Sequence, residues 1–456
     1  MTRPGWLDEL DAALPDGRLV VDRDVLTSHA RDHAQFAPSG AAAAMVRARE
    51  VADVVTTLRI ADAHRVPVVP RGAGTGLAGG ANASDGCILL SVAAMDRILE
   101  VDPATRTARV EPGVLNAEVV AAAAAHGLTY APDPASRAIS SIGGNVATNA
   151  GGACCLKYGV TGDHVAGLRA VLPGGREITT GNLAQKDVAG LDLTRLLVGS
   201  EGTLAVVVEV TLRLLPAPAP PATLAAFFDD LEDAGRAVVA MTDHHDLAMV
   251  ELMDRTTLRA VEDHARMDLD TTAGALVLVR ADGRTAADEI AGCVTRCEEA
   301  GASFVVPATD PAEGELLMEA RRLAYPALER SGATLLDDVG VPRPAIPALL
   351  REVEAIAERH QVLIGTFGHA GDGNFHPTIV FDPTDADATA RARTAFDEVV
   401  RTALSLGGTI SGEHGVGTLK RHHLAGQVGA AELELMRGIK AVFDPNGILN
   451  PGKVFT

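Results

Sequence analysis

The hydrophobic positions in the first half of the chain change from helical spacing to short runs bounded by glycine and proline. Over residues 50–65 apolar side chains recur every three or four positions on one face, which predicts a helix. An alanine-rich helix is expected at 114–126, a hairpin at 168–180 and a long strand with interleaved polar residues at 203–215. Short apolar runs that predict strands lie at 66–70, 87–92, 97–101 and 107–111.

Prolines at Pro216–Pro221 mark a boundary near the middle of the chain. Proline cannot donate to a sheet and favours an extended spacer. Beyond it, helical and strand patterns alternate, which indicates an α+β region around an antiparallel sheet. Helices are predicted at 230–243, 285–300, 313–329, 343–359 and 385–406. Strands are predicted at 275–280, 303–306, 361–368 and 375–381, followed by a glycine-rich tail at 410–456.

The densest glycine segment of the first half is Arg71–Gly80, directly after a β-branched run. Glycine at this density lets backbone N–H groups approach a ligand closely, and the usual ligand is a phosphate. Gly74, Gly76 and Gly79 also satisfy the spacing of the dinucleotide fingerprint. That fingerprint requires a helix to open directly from the loop, whereas a strand is predicted next, so we expect no nicotinamide-type Rossmann turn.

A second segment of small and polar residues, Pro132–Gly152, contains Asn145 and Asn149. Amide side chains both donate and accept hydrogen bonds, which suits recognition of a flat polar heterocycle such as a flavin. An irregular loop capped by Asn and Ser explains this segment alone equally well. The loop at Arg71–Gly80 and a third glycine segment, Gly199–Thr203, favour the cofactor interpretation.

Histidines flank a tight turn in His369–His376, and a further Glu-His pair lies at Glu413 and His414. Two imidazoles and a carboxylate form a normal ligand set for Zn²⁺ or another divalent metal. A histidine pair of this spacing also arises by chance in a chain with 14 histidines. The glycine-rich turn and the nearby Glu-His pair are what favour ligation over chance.

Composition excludes several classes of function. The chain has 456 residues, 47% of them hydrophobic, and a net charge of -20, which indicates two or three globular domains and disfavours binding to nucleic acid. No run reaches the roughly 18 apolar residues of a membrane span, and Met1–Leu14 lacks the apolar segment of a signal peptide. We therefore expect a cytoplasmic protein, or one held at the inner membrane only through a partner. The odd number of cysteines, 5, predicts no disulfide framework and no iron–sulfur cluster in this chain.

Together these segments resemble the vanillyl-alcohol oxidase / p-cresol methylhydroxylase superfamily of FAD-linked oxidases. Within it, the resemblance is strongest to the branch of bacterial glycolate oxidase flavin subunits and D-lactate dehydrogenases. The matching segments occur in the expected order over most of the chain: Pro70–Gly80, Pro132–Gly152, Cys155–Gly159, Gly199–Leu204, His369–His376 and Ser411–Gly417.

The resemblance implies an α+β fold with a two-part FAD-binding domain of the vanillyl-alcohol oxidase type. It also implies an α+β substrate (cap) domain built on an antiparallel sheet, with the C-terminal tail returning to the FAD domain. The implied parts are an N-terminal helical segment at 1–37, the FAD-binding domain at 38–216, the substrate domain at 217–410 and a C-terminal segment at 411–456 that completes the active site.

The phosphate loop implied by the resemblance is 71–76, and the isoalloxazine contacts fall near Ser141, Gly144 and Asn145. Members that bind FAD covalently through this loop carry a histidine where this chain has Thr75, so we expect non-covalent FAD. The implied cofactor residues are Arg71, Gly72, Ala73, Gly74, Thr75, Gly76, Pro132, Asp133, Ser136, Ser141, Gly144, Asn145, Thr148, Gly152, Glu201, Gly202, Val206 and Asn450.

The resemblance implies FAD-dependent oxidation of a small D-2-hydroxy acid to the 2-oxo acid by hydride transfer to the flavin. His369, His376 and Glu413 are the implied ligands of a divalent metal, zinc by family analogy, and His414 is the implied general base. Arg321 matches the arginine that holds the substrate carboxylate. Tyr325, one turn further on, is expected on the same helix face, lining the pocket.

Two departures bear on the substrate. The 2-hydroxyglutarate branch places a lysine two residues before the aspartate that corresponds to Asp338, and this chain has Leu336 there. It also tends to carry asparagine where this chain has Thr378. A missing cation disfavours a second substrate carboxylate, so glycolate or D-lactate is expected over a dicarboxylate.

Other functions stay open at this point. They are a D-2-hydroxyglutarate dehydrogenase-like activity, a flavin subunit of a larger oxidase complex, and metal-assisted hydrolysis. The electron acceptor is not indicated, and a quinone, a cytochrome, an electron-transfer flavoprotein, O₂ or an iron–sulfur subunit would each be compatible.

Overall fold

A computed structural model describes residues 4–184 and 186–455 and divides the chain into two compact units. The first unit contains the residues up to Gly151, Gly159–Ala217 and the segment from Glu413 onward. The second contains Gly152–Tyr158 and Pro218–Gly412. Each unit is therefore assembled from separate stretches of the chain, and the C-terminal segment returns to the first unit.

Short helices and strands alternate over the part of the chain before residue 218. The helices are α1 Gly5–Ala13, α2 Arg23–Ser28, α3 Val51–His64, α4 Asn116–Ala124, α5 Ile142–Thr148, α6 Cys155–Tyr158 and α7 Leu193–Leu197. The strands are β1 Leu19–Val20, β2 Ala44–Arg47, β3 Val68–Arg71, β4 Ile88–Ser91, β5 Ile98–Asp102, β6 Thr107–Val110, β7 Leu128–Thr129, β8 Val165–Val171, β9 Glu177–Gly181, β10 Val206–Arg213 and β11 Leu215–Pro216.

Two sheets organise the first unit. One has the order β1-β2-β4-β3, in which β2, β4 and β3 are parallel, and the other is antiparallel with the order β5-β6-β10-β8-β9. Strands β3 and β4 are neighbours joined by the described loop 72–87, in which no helix begins. The predicted strand–loop–strand order is therefore confirmed, and it differs from a Rossmann turn.

Each sheet buries an apolar face. Val54 and Leu58 of α3 pack with Ile88 and Leu90 of β4 in one core, and all four are inaccessible to solvent. In β10 the residues alternate between buried and partly exposed positions, as the interleaved polar residues at 203–215 predicted. Complete burial of such side chains contributes roughly 1.5–3 kcal/mol each, so these two cores supply much of the stability of the unit.

The second unit is built around an eight-stranded antiparallel sheet with the path β15-β12-β14-β13-β18-β19-β16, to which β17 adds at β19. Its strands are β12 Ala222–Phe228, β13 Met249–Asp254, β14 Ala275–Ala281, β15 Phe304–Pro307, β16 Ala333–Leu336, β17 Val339–Gly340, β18 Leu363–His369 and β19 Asn374–Phe381. Its helices after α6 are α8 Leu231–His244, α9 Arg255–Ala265, α10 Ala286–Glu299, α11 Pro311–Arg322, α12 Ala324–Glu329, α13 Ile346–His360 and α14 Ala386–Ser405.

One predicted helix of the second unit is divided. The pattern at 313–329 predicts a single helix, but α11 ends at Arg322 and α12 begins at Ala324. Arg321 and Tyr325 consequently lie on consecutive helices rather than one turn apart on a single helix. Strands β12 and β13 were not predicted, although β12 directly follows Pro221, because a short apolar run cannot be distinguished from a buried helix by periodicity alone.

The C-terminal segment contains α15 Arg421–Val428 and α16 Ala430–Phe443. The residues after α16 then form hydrogen bonds with other parts of the first unit. The amide of Val68 donates to Ile448, and the amide of Asn450 donates to Val68. The side chain of Lys453 donates to the carbonyl oxygens of Gly80 and Asn82. These bonds hold the tail along β3 and the loop that follows it.

Among the described residues, no helix is both long enough and apolar enough to cross a membrane.

Candidate functional site

In the first unit, the two glycine-rich segments meet at the end of β3. The amide of Ala73 donates to Ser141 Oγ at 3.2 Å, and Ser141 is the residue before α5. A Cβ at Gly72 would collide with the same Ser141 oxygen. A side chain at position 72 would therefore displace the Ser141 hydroxyl from the loop after β3.

The loop and Arg71 fit a diphosphate. The amides of Gly74, Thr75 and Gly76 donate no hydrogen bond to any residue that the structure describes. Arg71 is buried, and its Nη1 has no hydrogen-bond partner among the same residues. Burial lowers the pKa of Arg71 while nearby Asp32 raises it. Several unpaired N–H donors beside a buried guanidinium suit the diphosphate of FAD.

The second glycine-rich segment is more regular than the sequence predicted, because residues 142–148 form α5. Asn145 is buried, donates to Ser140 Oγ at 3.3 Å and accepts from Asn116 at 3.4 Å. Asn149 adopts the left-handed conformation after α5 and accepts from the amide of Gly162 at 2.7 Å. The Asn149 side-chain oxygen therefore stabilises the turn after α5.

Glu201 holds the beginning of the C-terminal segment. Its buried carboxylate accepts hydrogen bonds from the amides of Val416 and Gly417, at 2.7 and 2.8 Å. Burial raises the pKa of Glu201 to about 7, and the two amides partly oppose that shift. Both carboxylate oxygens of Glu201 are therefore hydrogen-bonded within the first unit.

The remaining cofactor residues implied by sequence fall around these segments or in the scaffold. Asn450 donates to the carbonyl oxygens of Gly80 and Glu201, so its side chain orders the loop. The Pro132 oxygen accepts from Asn116, and Thr148 Oγ1 bonds back to Gly144. Of the others, Asp133, Ser136 and Gly202 lie in loops, Val206 is buried in β10, and Gly152 belongs to the second unit.

In the second unit, the hairpin of β18 and β19 brings His369 and His376 onto one face. Their ring centroids are 5.2 Å apart, and a ligand nitrogen of one lies within 4.8 Å of a ligand nitrogen of the other. Both side chains are buried. The turn requires Gly373, which has a φ of 80° and packs so closely on Val341 that a Cβ would collide with its carbonyl oxygen.

A buried carboxylate faces Nδ1 of each histidine. Glu251 Oε1 is 2.8 Å from His369 Nδ1, and Asp338 Oδ1 is 3.6 Å from His376 Nδ1. Asp338 also accepts from Asn374 Nδ2 at 2.7 Å and from Ser411 Oγ at 2.8 Å. The Glu251 carboxylate, at hydrogen-bonding distance, favours a proton on Nδ1 of His369 and a lone pair on its Nε2, which is the arrangement of metal-binding histidines. The donor set of this hairpin therefore fits a divalent metal.

Arg321 lies close to this pair. Its Nε is 2.6 Å from Glu251 Oε2 and forms an ion pair with it, without the alignment of a hydrogen bond. The guanidinium carbon of Arg321 also lies 4.7 Å from the centroid of the Phe367 ring. Within the described residues, neither Nη1 nor Nη2 of Arg321 donates a hydrogen bond. Tyr325 instead directs its hydroxyl toward Thr334 Oγ1 and Glu329, at 3.2 and 3.3 Å. Burial raises the pKa of Tyr325.

The two positions that bear on substrate choice are paired in the sheet. Leu336 of β16 is opposite Thr378 of β19, and Thr378 is fully buried. Thr378 Oγ1 donates to the carbonyl oxygen of His376 at 3.1 Å. Thr378, two residues after His376 and bonded to its backbone, thus places the pair close to one of the histidines.

Glu413 and His414 belong to the first unit, where they open the C-terminal segment. His414 Nε2 is 3.8 Å from Glu413 Oε1, and both side chains are partly buried. The turn that follows them is the one bound by Glu201.

Sequence reasoning missed Glu251. It is the single charged residue in the run Ala248–Met253, and it is only 1% exposed. A lone carboxylate inside an apolar strand is itself a signal, because a buried charge needs a partner. The sequence could not identify those partners, since His369 and Arg321 are remote along the chain.

Both halves of the chain match known protein families. Residues 42–181 match the profile of the FAD binding domain, and residues 217–454 match that of the C-terminal domain of FAD linked oxidases. A glycolate oxidase subunit of Bacillus subtilis is 42% identical over 90% of this chain and 88% of its own length. A D-lactate dehydrogenase of Anaerostipes hadrus is 34% identical over 90% and 89%. A D-2-hydroxyglutarate dehydrogenase of Stutzerimonas stutzeri is 35% identical over 100% of both chains.

Among solved structures, p-cresol methylhydroxylase with substrate bound matches with a TM-score of 0.81 and 18% identity. The match covers 98% of this chain and 96% of that one, so the α+β fold expected from the sequence, of the vanillyl-alcohol oxidase type, is confirmed. With both profiles matched in order and these relatives aligned over most of their length, the chain belongs to the FAD-linked oxidases.

Proposed function

We propose that this protein oxidises a small D-2-hydroxy acid, of the glycolate or D-lactate type, to the 2-oxo acid. The observation that carries the proposal is the cluster of the second unit. There, a histidine pair backed by buried carboxylates lies beside Arg321, whose Nη1 and Nη2 donate to no described residue. Relatives with names for glycolate, D-lactate and D-2-hydroxyglutarate oxidation support the same class of substrate.

Arg321 would bind the substrate carboxylate. The planar guanidinium presents Nη1 and Nη2 as a fork that matches two carboxylate oxygens, while Nε stays on Glu251. The Phe367 ring supports one face of the guanidinium and limits its rotation. This arrangement would fix the orientation of C2 of a bound hydroxy acid.

His369, His376 and Glu413 would hold a divalent metal, for which zinc fits the nitrogen and oxygen donors. Support for the third ligand comes from Gly412, which lies so close to Asn374 that a Cβ would collide with it. Glu413 is the next residue in the chain. When bound, the metal would supply Lewis-acid polarisation and non-covalent FAD would supply the hydride acceptor.

His414 would act as the general base. As a neutral imidazole, its Nε2 would take the proton of the substrate hydroxyl while the hydrogen at C2 leaves as hydride. Glu201 would support this role indirectly, because it fixes the turn immediately after His414 through the amides of Val416 and Gly417.

Re-oxidation would use a separate acceptor. We propose a quinone, a cytochrome, an electron-transfer flavoprotein or an iron–sulfur subunit, and the name of the Bacillus subtilis relative, a glycolate oxidase subunit, favours an acceptor on a partner subunit. On that basis the protein would act in the cytoplasm or at the inner membrane through its partner.

Replacing His414 tests the proposal. His414→Gln should slow anaerobic bleaching of the flavin by substrate about 100- to 10,000-fold, because it removes the proton acceptor. His126→Gln, an exposed histidine after α4, is the matched control and should bleach at the wild-type rate. Bleaching by the His414 variant at the wild-type rate would contradict the assigned role.

A further inference from the structure

Glu251 contacts two side chains that the proposed function uses for different tasks. Its Oε1 is 2.8 Å from Nδ1 of His369, a proposed metal ligand, and its Oε2 is 2.6 Å from Nε of Arg321, the proposed carboxylate-binding residue. Glu251 itself is 1% exposed, so neither contact is shared with bulk water. One buried carboxylate thus joins both functional groups.

The sheet fixes this geometry. Strand β13 pairs with β18 in the register Leu252↔Gly368, so Glu251 falls opposite His369 on the same face of two central strands. Arg321 approaches from the last turn of α11. Central strands are among the most rigid parts of a fold, and the carboxylate therefore has little freedom to release one partner while keeping the other.

The charge of Glu251 has a consequence for each partner. A carboxylate against Nδ1 keeps the proton on that nitrogen and makes Nε2 the ligand atom. The same charge balances the buried guanidinium and holds Nε, which turns the Nη1 and Nη2 fork away from Glu251. Asp338 differs, because it accepts hydrogen bonds from Asn374 and Ser411, which are neutral donors, whereas Glu251 pairs with an arginine.

We propose that Glu251 is a positioning residue that couples metal binding at His369 to carboxylate binding at Arg321. This inference rests on the proposed function of the site. It predicts that loss of the Glu251 charge weakens both binding events, whereas loss of the Asp338 charge weakens metal binding alone.

The test compares Glu251→Gln with Asp338→Asn in the full chain loaded with FAD. Affinity for Zn²⁺ is measured by chelator competition, and ligand geometry is followed by the visible spectrum of bound Co²⁺. Carboxylate binding is measured on metal-free protein with oxamate, a monocarboxylate that cannot be oxidised, through the perturbation of flavin absorbance. These readouts do not depend on turnover.

We expect Glu251→Gln to raise the Zn²⁺ Kd about 10- to 100-fold and to change the Co²⁺ spectrum. The same variant should raise the oxamate Kd about tenfold, and its KM for a 2-hydroxy acid should rise as well. Asp338→Asn should raise only the Zn²⁺ Kd. Glu251→Asp, which keeps the charge, should recover part of the oxamate affinity. A Glu251→Gln protein that loses Zn²⁺ affinity alone, or neither affinity, would overturn the coupling.

A measurement on the wild-type protein tests the inference even if these variants do not fold. Nitrogen-15 NMR of the metal-free protein should show His369 protonated at Nδ1, with the signal identified by its loss in His369→Ala. A proton on Nε2 would overturn the inference. A wild-type protein that binds no metal, or bleaches with no 2-hydroxy acid, would instead contradict the proposed function.

Discussion

At the scale of single residues, Glu201 links the stability of the first unit to pH. Burial raises its pKa from 4.5 to about 7, so the folded protein keeps a proton that the unfolded chain loses near pH 4.5. The stability that this proton supports is fully present below about pH 4.5 and is lost as the pH rises through 7.

Glu201→Gln should remove that dependence, because glutamine stays neutral at every pH. Relative to the wild type, its midpoint of thermal unfolding should rise between pH 5 and pH 7. The difference in the free energy of unfolding between the two proteins should change by about 1.4 kcal/mol for each unit of pH. Differential scanning calorimetry at both values checks this. Parallel pH profiles for the two proteins would show that Glu201 does not titrate in this range.

We expect position 75 to determine how the cofactor is attached. Because this chain has Thr75 where covalent members carry histidine, acid precipitation should release the yellow chromophore into the supernatant. A chromophore that stays with the precipitated protein would contradict non-covalent binding.

We expect position 336 to influence which substrates are accepted. Leu336→Lys would place a cation opposite Thr378 in the sheet, where a second substrate carboxylate lacks a partner. We expect kcat/KM for D-2-hydroxyglutarate relative to D-lactate to rise about tenfold. Leu336→Met, which preserves size without charge, is the control. An unchanged ratio in the lysine variant would remove Leu336 as a determinant of specificity.

At the scale of elements, the sequence predicted what depends on local periodicity. The helix at 50–65 and the hairpin at 168–180 appear as α3 and the β8–β9 pair. The break between α11 and α12 and the helix α5 were missed, since packing rather than local pattern determines them. For the same reason the sequence indicated the histidines of the site but not Glu251, which only the pairing of β13 with β18 brings near His369.

Alanine substitutions at two glycines inside helices are expected to change the stability of the protein differently. Gly438 in α16 is exposed, and no atom beyond the neighbouring helix backbone would lie within 4 Å of a Cβ added there, so Gly438→Ala should stabilise the protein by about 0.5–1 kcal/mol. A Cβ added at Gly235 in α8 would lie 3.2 Å from Pro347 Cα, so Gly235→Ala should gain less or lose stability. Denaturant unfolding of both variants checks the contrast, and equal gains would contradict the close packing at Gly235.

At the scale of the whole molecule, each unit depends on distant parts of the chain. Truncation after Gly412 would leave the long segment of the second unit intact but remove α15, α16, Asn450 and Lys453 from the first. The loop after β3 would then lose the hydrogen bonds that Asn450 and Lys453 donate to Gly80 and Asn82. We expect the truncated protein to retain no FAD on gel filtration. Retention of stoichiometric FAD would show that the C-terminal segment is dispensable for FAD binding.

Hydride transfer from C2 of a small D-2-hydroxy acid to the flavin is the central step proposed for this FAD-linked oxidase. The most direct test is anaerobic mixing of the FAD-loaded protein with glycolate and with each enantiomer of lactate, malate and 2-hydroxyglutarate, while the absorbance near 450 nm is recorded. We predict rapid bleaching by glycolate or D-lactate, with formation of one 2-oxo acid per flavin, and slow reaction with L-lactate and the dicarboxylates. A flavin that no 2-hydroxy acid reduces would contradict the proposed reaction.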